Sequence, residues 1–108
     1  MIDWTRVAQL REQIGAEDFS EIVEIFLEEV ECEIEPLRQT CELSQLEAVL
    51  HFLKGSALNL GFMTFAEFCT DGESKAANGQ AADIDLNAIL KSYSNSKILF
   101  LDELEHRF

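Results

Sequence analysis

Apolar residues recur along this chain at intervals of three and four and almost nowhere in strict alternation, so the pattern predicts helices rather than strands. Five segments follow from this periodicity and from the residues that start and stop helices. Asp3 suits the N-cap of "DWTRVAQLREQIG" and Gly15 its C-terminal stop, with Trp4, Val7, Leu10 and Ile14 on one side. The second segment opens at Asp18 with Glu21 three residues on, a pair resembling a capping box. Phe19, Val23, Phe26, Val30, Leu37 and Cys41 then form one stripe. Pro36 lies inside it, so the helix either kinks there or ends near Ile34; the stripe stays in phase through Cys41, which favours the kink.

Ser44 and Glu47 make an S-x-x-E capping box, which predicts a third helix from there to Gly61. Thr64 and Glu67 repeat the device and predict a fourth, ending near Gly79 and loosened by Gly72. The last helix starts near Asp83 or Asp85 and puts Leu86, Ile89, Leu90, Tyr93, Phe100 and Leu104 on one face. Lys97 falls in the middle of that face, after the weak helix formers of "SYSNS", so a break or a snorkelling lysine is expected.

A chain of 108 residues without a linker or internal repeat is expected to be one domain, residues 1–108. Amphipathic helices on short connections predict an all-α fold: an antiparallel up-down four-helix bundle with the short N-terminal helix capping one end. No sustained heptad seam is visible, and a monomer is the expectation.

Charge narrows the partners. The net charge of −13 argues against nucleic acid and against anionic membrane surfaces. No apolar run approaches the ~20 residues needed to span a bilayer. The N-terminus lacks the layout of a secretory signal. Cys32, Cys41 and Cys69 are odd in number and lack paired spacing, which predicts reduced thiols in a cytoplasmic protein and no zinc site.

The third segment is where chemistry concentrates. The chain holds 21 acidic residues, yet none lies between Ala48 and Ala66, where Lys54 is the one formal charge. At about 100° per residue, Leu46, Val49, Leu50, Leu53, Ala57 and Leu60 fall on one stripe and His51 falls well outside it. The imidazole is therefore expected in solvent. Lys54, at i+3, flanks it and can contact an anionic group carried on the ring. Gly55, at i+4, removes the neighbouring side chain at a helix cost of roughly 1 kcal/mol, which makes sense if something large approaches the ring. A neutral imidazole is a nucleophile able to accept a phosphoryl group, and an adjacent ammonium stabilises the resulting dianion. Such a transfer rests on positioning and charge neutralisation, and a partner can supply the metal and the acceptor.

These residues carry a resemblance. "HFLKGSALNLG" is similar to the signature of histidine-containing phosphotransfer domains: a histidine followed by x-x-K/R-G-S/A and then by L-G. His51, Lys54, Gly55, Ser56, Leu60 and Gly61 all fit it. The resemblance implies a helical bundle that relays phosphate between aspartates of receiver domains, with His51 as phospho-acceptor, Lys54 as electrostatic support and Gly55 as clearance for the partner. It also implies response-regulator receivers or a hybrid sensor kinase as partners. No cofactor is expected on this chain, and the divalent metal belongs to the receiver. One departure stands out: such domains often carry an apolar-acidic pair soon after the cysteine of the fourth helix, whereas this chain has Asp71, Gly72 and Glu73.

Other residues are read more plainly. Glu47 is the N3 half of its capping box first, and a group that could orient the imidazole second. Leu58, Phe52 and Ile25 lie outside the core stripes and are candidates for receiver docking. Ser56 is expected to pack, and His106 to sit on the surface. Two rival functions are a sensor-kinase dimerisation segment and a non-catalytic helical adaptor. The first expects an acid after the histidine and a nucleotide-binding domain; Phe52 follows the histidine here, and no Gly-rich phosphate loop is present. The second leaves Lys54 and Gly55 unexplained.

Overall fold

A computed structural model of the chain describes residues 2–38 and 43–107. Five α-helices account for most of them: α1 (Trp4–Ile14), α2 (Phe19–Arg38), α3 (Leu46–Leu60), α4 (Met63–Ala77) and α5 (Leu86–Arg107). Short 3-10 turns, Leu43–Gln45 and Ala81–Asp83, precede α3 and α5.

Each helix buries the stripe its spacing requires. Asp3 Oδ1 accepts from Arg6 N at 3.2 Å and Gly15 closes α1, while Val7 and Leu10 go into the core. From α2 come Phe19, Val23, Val30 and Leu37 of the expected stripe, joined by Leu27 and Ile34, which the spacing did not mark, while Phe26 is only partly buried. Helix α2 runs through Pro36 to Arg38, so it does not end near Ile34; Cys41 lies outside the described residues. From α3 come Leu46, Leu50, Leu53, Ala57 and Leu60. Phe62, Phe65, Tyr93 and Phe100 add an aromatic cluster, with Phe62 edge-on to Phe100 at 5.3 Å and Phe65 tilted on Tyr93 at 5.2 Å.

Two helix starts differ from the sequence expectation. Neither Ser44 nor Thr64 is an N-cap. Helix α3 begins after the 3-10 turn with Gln45 at the cap, and α4 begins with Phe62 there; neither cap makes a side-chain hydrogen bond. Burial decides both starts. Leu46 and Phe62 are anchored in the core, and the helices begin where those anchors fall. At the start of α5 Asp85 Oδ1 accepts from Ala88 N at 3.0 Å, as a capping residue should.

The corner between α3 and α4 is tight. Gly61 adopts φ +76°, ψ +20°, its N–H reaches Leu58 O, and Phe62 N–H reaches Ala57 O at 2.8 Å, which together form a Schellman motif. Asp3 N donates to Gly61 O at 2.7 Å, and Ile2 pairs with Phe62, so the chain start is fastened to this corner. A Cβ at Gly61 would stand 2.7 Å from Asp3 O.

Gly72 does not loosen α4; it lets α4 close on its neighbours. The residue is buried, and a Cβ there would meet Leu50 Cδ1 at 2.9 Å and Ile89 Cδ1 at 3.4 Å. Helix α5 is unbroken through "SYSNSK". Ser92 Oγ donates to Ile89 O at 2.7 Å, and Lys97 Nζ reaches out to Glu31 Oε2 at 2.6 Å, beside Tyr93 Oη on the same oxygen at 3.0 Å. The lysine snorkels, and its ammonium joins α5 to α2.

Candidate functional site

The spacing of α3 places the site. With Leu50 and Leu53 fully buried, the residue between them on the opposite flank, His51, stands in solvent with a side chain 70% exposed. Lys54 follows one turn along and is partly covered, 27% exposed. Gly55 is exposed, and a Cβ built on it meets no atom within 4 Å. The omission of a side chain is not needed for internal packing at this point, unlike at Gly72.

The residue that organises the pair comes from α4. Glu73 Oε1 lies 2.8 Å from His51 Nδ1, and Glu73 Oε2 lies 2.7 Å from Lys54 Nζ. One carboxylate thus bridges both groups. The hydrogen bond from Lys54, then that from His51, hold the Glu73 carboxyl below its ordinary value, while partial desolvation acts the other way. An ionised carboxylate only accepts, so in the neutral imidazole Nδ1 carries the ring proton and Nε2 keeps its lone pair. No described residue bonds Nε2. The arrangement presents one nucleophilic nitrogen to solvent with a cation close by.

Glu47 does not take this part. It is exposed on α3, the capping box expected of it is not formed, and the carboxylate at the ring is Glu73. The signal for Glu73 was present in the departure "DGE". Cys69 is fully buried against the core, so Glu73, four residues on, shares the α4 face turned to α3. Gly72 beside it permits the close approach. The acid-free stretch of α3 is therefore not acid-free in space.

Cys69 lies beneath this network. Burial pushes its thiol up to about 12, the Glu73 charge adds to the rise, and Lys54 opposes it. It is a protonated packing residue near neutral pH. Ser56 is partly buried, and His106 is exposed.

The three docking candidates are divided between two grooves. Phe52 and Ile25, 42% and 44% exposed, line a groove between α3 and α2. Leu58 lies with Met63 and Ala66 in a separate groove towards α4. Among the described residues no cluster of three or more His, Cys, Asp or Glu is placed to hold a metal ion. Nor is any helix among them long and apolar enough to cross a membrane.

Comparison with known proteins gives a consistent result. The profile of the Hpt domain matches residues 21–106. The phosphorelay protein LuxU of Vibrio vulnificus strain YJ016 is 30% identical over 86 residues, which cover 77% of this chain and 75% of that protein. LuxU of strain CMCP6 is similar to the same degree. No solved structure matches.

Proposed function

The chain belongs to the Hpt domain family, and from that premise we propose that it relays a phosphoryl group between receiver-domain aspartates through His51. The observation that carries this is the Glu73 bridge, which holds His51 by Nδ1 and leaves Nε2 as the nucleophile beside Lys54. In the step proposed, the Nε2 lone pair attacks phosphorus of a receiver's aspartyl phosphate. The N–P bond forms, the P–O bond to aspartate breaks, and the carboxylate leaves with the electron pair. The Nδ1 proton stays in place, so the ring becomes cationic, and Glu73 faces that new charge. Lys54 is close enough to neutralise the phosphoryl oxygens.

We take residues 1–108 as one domain, an up-down bundle of α2 to α5 with α1 capping one end. The tight α3–α4 corner and the Glu31 tie between α2 and α5 support that arrangement. The protein would act as a stoichiometric carrier rather than a self-contained enzyme, as a cytoplasmic monomer. It would need no cofactor of its own, the divalent metal sitting on the receiver. Gly55 gives clearance, and Phe52, Ile25 and Leu58 are the docking candidates. The adaptor alternative gives no role to the His51–Glu73–Lys54 arrangement.

The test is incubation with a phosphorylated receiver domain. Label on this chain should be acid-labile and base-stable, and absent from His51→Ala. Equal labelling of His51→Ala would overturn the proposal.

A further inference from the structure

We propose that the groove between α2 and α3 chooses among receiver partners, by accepting an apolar side chain flanked by lysine or arginine. This rests on the phosphorelay reading and adds to it a partner of stated chemistry. The groove adjoins the site directly, because Phe52 follows His51 in the chain. It has a volume of about 580 Å³ and is lined by Ile25, Phe52, Cys32, Glu28, Glu29 and Glu33. Its apolar part is the pair Ile25 and Phe52, each left more than two-fifths exposed. Its rim is three carboxylates of α2, all exposed, Glu28 and Glu29 on one turn and Glu33 on the next.

Among the described residues the rim has no countercharge of its own: Lys54 is engaged by Glu73, Lys75 by Asp71 and Lys97 by Glu31. No described cation pairs with Glu28, Glu29 or Glu33. Helix α2 carries seven glutamates, so these three add to a field that a partner can relieve. An acidic or neutral apolar knob would bury the carboxylates unpaired, which is costly. A knob flanked by basic side chains satisfies both parts of the groove. The other side of His51 is Lys54, which suits the acidic pocket of a receiver. A docking face with acid at its pocket and base at its margin thus fits in only one rotation. A second copy of this chain does not fit, since the net charge of −13 would meet itself.

The probe is a receiver domain that phosphorylates the wild-type chain, taken from a set charged with acetyl phosphate. The variant is Glu28→Gln/Glu29→Gln/Glu33→Gln. Its kcat/KM for transfer should fall about tenfold at low ionic strength with kcat kept, and the gap should close in high salt. Phe52→Ala should lower kcat/KM at every salt concentration. Wild-type efficiency in the triple variant, or faster transfer, overturns the proposal. So does a wild-type dimer in sedimentation that Phe52→Ala abolishes, because the groove then holds a second copy. Labelling of wild-type His51 by phosphoramidate, which needs no docking, tests the carrier reading separately. If that label is absent the relay itself fails; if it is present and the triple variant is unimpaired, only the groove assignment fails.

Discussion

Glu73 reaches from α4 to His51 on α3, Oε1 to Nδ1 at 2.8 Å, and so determines which ring nitrogen is offered to solvent. Replacing Glu73 with glutamine keeps the shape but allows an amide N–H to face Nδ1, which favours the other tautomer. Phosphoryl uptake from phosphoramidate should slow by about tenfold, the rate equivalent of weakening one hydrogen bond to a charged group. Nitrogen NMR of the imidazole should show mixed tautomers where the wild type shows one.

The same carboxyl is held below its ordinary value by Lys54 and His51. Its stabilising effect is therefore present above the ordinary carboxylate range and is lost as pH falls through its lowered native value. The difference in urea midpoint between wild type and Glu73→Gln should be level at neutral pH and should narrow in acid. It should also be small, because the pair is partly solvated. A gap that widens on acidification would refute the assignment.

Lys54→Ala removes the ammonium but little packing. Stability should change by less than about 1 kcal/mol, while phosphohistidine formation drops roughly tenfold as phosphoryl charge goes unneutralised. Lys54→Arg should recover part of the rate, since the charge is kept and the geometry is not. Rate and unfolding measured on the same samples separate the two effects.

The two mid-helix glycines should respond in opposite directions to alanine. At Gly55 a Cβ meets nothing within 4 Å, so Gly55→Ala should stabilise the fold by about 1 kcal/mol. Transfer from a receiver should nevertheless slow. At Gly72 the Cβ would press on Leu50 Cδ1 at 2.9 Å in the core, where overpacking typically costs about 1–3 kcal/mol and outweighs the helix gain. Thermal unfolding of both variants, compared with the wild type, gives the signs.

Cys32 is exposed and Cys69 is buried with its thiol pushed up to about 12. Mass mapping after brief iodoacetamide treatment at pH 8 should find Cys32 modified and Cys69 intact until the protein is unfolded. Because the native thiol holds its proton to higher pH than an unfolded one, its contribution to stability is complete below about pH 9 and declines above it. Cys69→Ala should flatten that alkaline decline.

Much of the fold was legible because burial and periodicity agree: Val7 and Leu10, Leu50 and Leu53, Ile89 and Tyr93 all lie where their spacing puts them. His51 was legible for the same reason, as the residue the stripe leaves outside. Helix starts were less so, because Ser44 and Thr64 offer caps that the anchoring of Leu46 and Phe62 overrides. Glu73 was hidden by distance along the chain. Its role depends on how closely α4 packs on α3, and a sequence shows Gly72 without showing what it lies against. Leu58 and Phe52 read as one exposed set, whereas neighbouring helices divide them between two grooves.

Trp4 is the only tryptophan in the chain. Its ring stacks on Phe100 with centroids 5.6 Å apart, its Nε1 donates to Glu103 Oε2 at 2.9 Å, and the Arg107 guanidinium lies 4.3 Å above it. Every one of those partners belongs to α5, while His51 and Glu73 belong to α3 and α4. The protein therefore carries a built-in optical probe whose emission follows the seating of α1 on α5. Denaturation can be followed by fluorescence before and after incubation with a phosphorylated receiver, without an added dye and without disturbing the face proposed to meet a partner.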